Sequence, residues 1–198
     1  MTEIVIATNN QGKFREIKSI LADTGLNFLS LNDFDVPEVV EDGATFRENA
    51  EKKALAISEA TGYVSISDDS GLEVEALGGQ PGVYSARFAG PECNDNNNIE
   101  KLLRLLKDVP EEKRAAQFTC LVALAEAGRT LAVTSGVCRG KIARQKRGEG
   151  GFGYDPVFIP EGYDKTFAQL PAEEKNTISH RFKAFTAIKE ELQKLKGR

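Results

Sequence analysis

The stretch Tyr63-Val64-Ser65-Ile66-Ser67-Asp68-Asp69-Ser70-Gly71 ends an apolar run on two adjacent carboxylates, and its reading decides both the sheet and the site. Side chains alternate along a strand, so if Asp68 is still extended, one carboxylate points across the sheet and its neighbour points away. Carboxylates at the end of a buried strand, followed by Ser-Gly, suit a hard cation at the mouth of an α/β sheet. Asp, Ser and Gly are also the ordinary residues of turns. The segment alone leaves both readings open.

Working outward, Glu3 to Ala7 reads as a buried strand, and Phe14, Ile17, Ile20 and Leu21 then recur at helical spacing. The polar run between them, Thr8-Asn9-Asn10-Gln11-Gly12-Lys13, makes a strand-loop-helix unit whose backbone N–H groups and positive dipole end suit a phosphate. It is not a GxxxxGK[ST] loop, so P-loop chemistry is not implied. Thr45-Phe46-Arg47-Glu48 has the form of a capping box and opens a helix to about Ala60, with Phe46, Ala50, Ala54 and Ile57 as its apolar stripe. That assigns Glu48 to the Thr45 N–H. Asn49 and Lys53, four apart, share one face.

Beyond Gly71, the glycine-rich connection from Leu77 to Arg87 needs unusual backbone angles. A helix runs from about Asn96 to Lys107. The runs Ala116 to Ala125 and Thr130 to Val137 then read as a hairpin, which makes the sheet mixed rather than purely parallel. Arg139, Lys141, Arg144, Lys146 and Arg147 follow as a basic loop, either solvated or able to meet one small polyanion. In Gly150-Gly151-Phe152-Gly153-Tyr154-Asp155-Pro156, before the strand Val157 to Ile159, glycines interleave with aromatics, so that Phe152 or Tyr154 can lie against a flat ligand. A last helix starts near Ser179 as N-cap. It places His180 and Arg181 in its first turn, where a cation opposes the helix dipole and calls for a nearby anion or base oxygen.

At 198 residues the chain is long enough for a substantial core. We read it as one domain over 1–198 with two lobes, without repeats or linkers. A net charge of −4 argues against binding nucleic acid polymers, which are held mainly through neutralised phosphates. Cys93, Cys120 and Cys138 form no zinc spacing, and Cys120 sits in an apolar run, which implies a reducing compartment. No signal peptide heads the sequence, and no apolar stretch approaches the roughly 20 residues of a membrane helix. A soluble, cytoplasmic protein is expected.

These segments together resemble the non-canonical purine nucleoside triphosphate pyrophosphatases, also called inosine or xanthosine triphosphate pyrophosphatases. The resemblance is carried by Thr8–Lys13, Ser67–Val74, Leu77–Arg87, Gly150–Pro156 and Ser179–Arg181, in order over about residues 3 to 190. It implies an α/β fold with a long, mixed, twisted sheet flanked by helices, and an active-site cleft between two lobes. It also implies a homodimer and a Mg2+-dependent hydrolase that converts ITP, dITP or XTP to the monophosphate and pyrophosphate. Asp69 matches the family's general base and metal-linked carboxylate, and Glu41 an acidic position associated with the metal. Thr8, Asn9, Asn10, Gln11, Gly12, Lys13, Lys53, Ser70, Phe152, Gly153, Tyr154, Asp155, Lys175, His180 and Arg181 match substrate-binding positions, with Glu48, Asn49 and Asp68 in support.

The residue types suit that chemistry. Attack of water on the α-phosphorus needs a base, and the charge that develops needs cations. Magnesium commonly takes one or two carboxylates plus phosphate oxygens and waters. Lys13, Lys53 and Lys175 can act as electrostatic clamps. Donors on His180 and Arg181 suit a 6-keto oxygen and would be left unpaired by adenine, but guanine shares that keto group and its exclusion has no account in these residues. Two other readings stand beside this one: a pyrophosphatase of modified pyrimidine nucleotides, and a nucleotide-binding regulator that does not hydrolyse. The acidic set disfavours the regulator, and the His180-Arg181 helix start and glycine-aromatic loop favour purines.

Overall fold

The computed structural model describes residues 2–196. In chain order its main elements are β1 (Glu3–Ile6), α1 (Gln11–Ile20), β2 (Asn27–Ser30), α2 (Phe46–Thr61), β3 (Val64–Val74), α3 (Asp95–Leu105), β4 (Ala115–Glu126), β5 (Arg129–Ile142), β6 (Phe158–Pro160), α4 (Ala172–Ile178) and α5 (His180–Gln193). The strands form one sheet in the order β2-β1-β3-β4-β5-β6. β1 runs parallel to both β2 and β3, whereas β5 and β6 are antiparallel, so the sheet is mixed as the hairpin reading requires.

The chain divides into two compact units. The first holds the residues up to Asp69, Cys120–Gly136 and those from Arg181 on; the second holds Ser70–Thr119 and Val137–His180.

In the first unit the period of two along each strand sorts the helices onto opposite faces of the sheet. Ile4, Ile6, Val64, Ile66, Cys120, Val122 and Leu124 pack with Ile17, Ile20 and Leu21 around α1 and with Phe185, Ile188 and Leu192 of α5. The intervening residues turn to α2: Val5 and Ala7 meet Ile57, and Ala123 and Ala125 meet Ala50 and Ala54. The α2 face is built of small side chains, which lets helix and strand approach closely enough for the Ser67 hydroxyl to donate to the Ala50 carbonyl at 2.5 Å. Both helices begin as their sequences direct. The Asn10 side chain accepts from the Lys13 N–H, and that of Thr45 from the Glu48 N–H.

The second unit is centred on Phe118, Phe158 and Phe167, with Leu72, Val74, Ile99 and Leu102 packed around them. The buried Arg114 guanidinium donates to the carbonyls of Leu106, Val109 and Ala143, giving each partner a bond that the apolar surroundings would otherwise deny it.

Several boundaries differ from the sequence reading. β3 does not span Tyr63 to Ser67, as its apolar run suggests, but Val64 to Val74, continuing through Asp68-Asp69-Ser70-Gly71, so the turn reading is wrong. β5 reaches Ile142, which places Arg139 and Lys141 on a strand rather than in a basic loop. Strand β2 and helix α4 were not anticipated, and the Glu48 carboxylate accepts from the Ala44 N–H at 2.8 Å, one residue before the expected Thr45. Among the described residues, no helix is long and apolar enough to cross a membrane.

Candidate functional site

In the first unit β3 carries the two carboxylates to opposite faces, as the alternation demands. Asp68 points to the α1/α5 side. One of its oxygens lies 3.3 Å from Lys13 Nζ, 3.4 Å from both Nε and Nη2 of Arg181, and 3.9 Å from Cys120 Sγ. Arg181 Nη1 reaches Glu16 at 2.5 Å. Burial by itself would raise the Asp68 carboxyl, but Lys13, Arg181 and Lys53 outweigh it and hold the group well below the usual carboxylate range. The Arg181 guanidinium is held above its ordinary value against its own burial, by Asp68 and Glu16. Burial raises the Cys120 thiol, with Asp68 adding to the effect, so it is an inert packing group.

The anion called for at the start of α5 is therefore supplied within the unit, by Asp68 and Glu16. Glu16 had not been singled out, although it lies three residues after Lys13 on α1, close enough to share its face.

Asp69 points to the α2 side, where Asn49 Nδ2 donates to it at 2.9 Å. Its carboxyl is pushed up to about 6, first by burial and then by the like charge of Glu41, while Lys53, Asn49 and Lys13 pull the other way. Glu41 lies in the loop before α2, paired at 2.6 Å with Lys53 Nζ. Burial works against the Lys53 charge, but Glu41, Asp68 and Asp69 together raise its affinity for the proton. Asn49 and Lys53, one helical turn apart, thus each hold one carboxylate.

Among the described residues, no group of three or more His, Cys, Asp or Glu side chains is arranged to hold a metal. Two carboxylates are nonetheless what Mg2+ takes from a protein when phosphate oxygens and waters complete its shell. Glu41 is near enough to Asp69 for its like charge to add to burial in raising the Asp69 carboxyl, and a dication held by these two residues would offset that charge. The donor set therefore fits a hard cation.

The phosphate-loop candidates are in the same unit. Thr8 is buried, and its hydroxyl accepts from the Asn10 N–H at 3.2 Å. Asn9, Asn10 and Gln11 are exposed at the start of α1, and Gly12 and Lys13 are half-buried in its first turn.

The second unit holds Ser70, the glycine-aromatic loop, Lys175 and His180. The Asp155 carboxylate is the hub of the loop: it accepts the Phe152 N–H at 3.0 Å and Lys175 Nζ at 2.6 Å. Gly151 is required here, because at its φ of +75° an added Cβ would strike that carboxylate. Lys175 Nζ lies 4.8 Å from the centre of the Phe152 ring, over its face. The two aromatics open to stacking are now told apart. Tyr154 is buried and its hydroxyl donates to the Ser85 carbonyl, whereas Phe152 is half-buried on the loop. The His180 ring lies nearly parallel to Phe118, centroids 4.7 Å apart, inside the aromatic cluster. The Gly153 N–H is held by Asp95, at the start of α3, a partner the sequence did not signal. A cavity of about 840 Å³ in this unit, walled partly by Glu73, Gln117, Arg139 and Tyr163, is lined by none of the predicted site residues.

The profile of the Ham1 family matches residues 4–191. The dITP/XTP pyrophosphatase of Geobacillus kaustophilus is 54% identical over 198 residues, covering 100% of this chain and 97% of that protein. That of Desulforamulus reducens is 50% identical, with 98% and 96% covered. Among solved structures, a HAM1 protein from Coxiella burnetii superimposes with a TM-score of 0.89 at 40% identity, over 98% of this chain and 100% of the other. The Ham1 protein of Staphylococcus aureus gives 0.83 at 45% identity, with the same coverage.

Proposed function

The chain belongs to the Ham1 family, and from that premise we infer that it hydrolyses non-canonical purine nucleoside triphosphates such as dITP, ITP and XTP to the monophosphate and pyrophosphate. The observation that carries the chemistry is Asp69: a buried carboxylate that accepts from the Asn49 amide beside the Glu41–Lys53 pair. A carboxylate held in one direction by an amide donor is placed to accept a proton from water.

In the mechanism we propose, Asp69 accepts the proton of the water that attacks the α-phosphorus. Glu41 and Asp69 would hold Mg2+, which when bound supplies Lewis-acid stabilisation of charge on the phosphate oxygens. Lys13 and Lys53 stand near the carboxylates and offset the negative charge of the triphosphate. Phe152 supplies the stacking face for the base, its loop fixed by Asp155 and Lys175. Arg181 keeps Asp68 ionised, and Asp68 in turn holds Lys13.

The carried-over roles of Thr8 to Lys13, Ser70, Gly153, Tyr154 and His180 in binding substrate belong to this same proposal, as do dependence on Mg2+, a cytoplasmic homodimer and purines over pyrimidines. For Tyr154 the buried hydroxyl makes that role one of fixing the loop.

Hydrolysis in ¹⁸O-water tests the chemistry. Attack at the α-phosphorus puts the label in the monophosphate. Label in the pyrophosphate would overturn this assignment.

A further inference from the structure

We propose that Asn49 is a positioning residue whose side-chain amide ties Asp69 to the loop that carries Glu41 and sets the direction of the Asp69 carboxylate. The inference rests on the reaction proposed above. Asn49 is 1% exposed, in the first turns of α2, and both ends of its amide are engaged. Its Oδ1 accepts the Gly43 N–H at 2.7 Å, and its Nδ2 donates to Asp69 Oδ2 at 2.9 Å.

The orientation is not interchangeable. A backbone N–H can face only the amide oxygen, so the NH2 group is left toward Asp69, where a carboxylate is the matching acceptor. The link therefore requires donor and acceptor in this order across two residues that lie on different segments.

Gly43 gives a second, independent sign that the contact is built. A Cβ at that position would stand 2.7 Å from Asn49 Oδ1 and 2.9 Å from Glu48 Cβ, so only glycine lets the loop approach the amide. Gly43 is two residues after Glu41, and Lys53 grips Glu41 itself one turn along the same helix. The first turns of α2 thus fix the separation and direction of both carboxylates proposed to hold the dication. Misplacing either by about 1 Å would cost turnover on the order of 10².

Two variants test this. N49A removes both bonds. N49D keeps an acceptor for the Gly43 N–H but replaces the donor to Asp69 with another carboxylate.

With the wild-type protein measured alongside on ITP, kcat of both variants should fall about 10- to 100-fold while KM stays within about threefold. Mn2+ binding without nucleotide, read from the electron paramagnetic resonance of the free ion, should weaken at least about fivefold in N49A. That readout needs no turnover, so it distinguishes failure of this inference from failure of the proposed reaction. A folded N49A with kcat and Mn2+ affinity within about twofold of wild type, or one that changes KM alone, overturns the inference. Should N49A not fold, N49D decides by kcat: a tenfold fall upholds the link, and a value within about twofold of wild type refutes it.

Discussion

Replacing Asp69 by Asn should stabilise the protein at neutral pH while it destroys turnover. Asp69 is 6% exposed, and burial together with Glu41 raises its carboxyl from 3.8 to about 6. A carboxyl whose affinity is raised on folding keeps its proton longer in the native state than in the unfolded chain. Stability from this group is therefore lost as pH rises from about 4 through 6. A shift of roughly two units, at 1.36 kcal/mol each, gives about 3 kcal/mol as the upper size of the penalty carried above pH 7. The Asp69→Asn variant lacks it, and its amide oxygen can still accept from Asn49. In urea unfolding with a chelator present, the variant should exceed the wild type by about 1–3 kcal/mol at pH 7.5 and by about a third of that near pH 4.5. Its turnover of ITP with Mg2+ should fall by at least about 10². A variant no more stable than wild type at pH 7.5, or a difference that does not change with pH, would refute the reasoning.

Added Mg2+ should raise the unfolding temperature of the wild type at pH 7.5 and leave Asp69→Asn nearly unmoved, while a chelator abolishes turnover; calorimetric scans and product release check the two halves. Arg181→Met leaves Asp68 and Glu16 without their guanidinium and should cost about 3–5 kcal/mol in urea unfolding, and Arg181→Lys should restore little because a single ammonium cannot span both carboxylates. Phe152→Ala should raise KM for ITP by about 10- to 100-fold through lost stacking, whereas Tyr154→Phe should cost about 1 kcal/mol of stability with KM little changed; steady-state kinetics and unfolding curves separate the two rings.

What the sequence made legible was local. The apolar period of β1, α1 and α2 and the cap at Thr45 are set by neighbours within a turn or two, and the opposite directions of Asp68 and Asp69 follow from strand alternation wherever the strand continues through them. The length of β3 was not legible. Asp-Asp-Ser-Gly has turn composition, and it stays extended with Asp68 buried and charged because Lys13 and Arg181 close on that carboxylate, Arg181 from 113 residues further along the chain. The choice of Phe152 over Tyr154 likewise depends on Ser85, 69 residues from the tyrosine. β2 is four residues with no alternation to read, and α4, Ala-Glu-Glu-Lys-Asn-Thr-Ile, has no apolar stripe. The metal-linked pair came from family likeness, whereas its support by Asn49 and Gly43 is visible only in three dimensions.

The central claim is tested most directly by the product profile of the purified protein with Mg2+ on ITP, dITP, XTP, GTP, ATP, UTP and dTTP in turn. The account predicts monophosphate and pyrophosphate in equal amounts, with ITP, dITP and XTP strongly preferred. Orthophosphate as the product, or equal turnover of ITP and ATP, would contradict it.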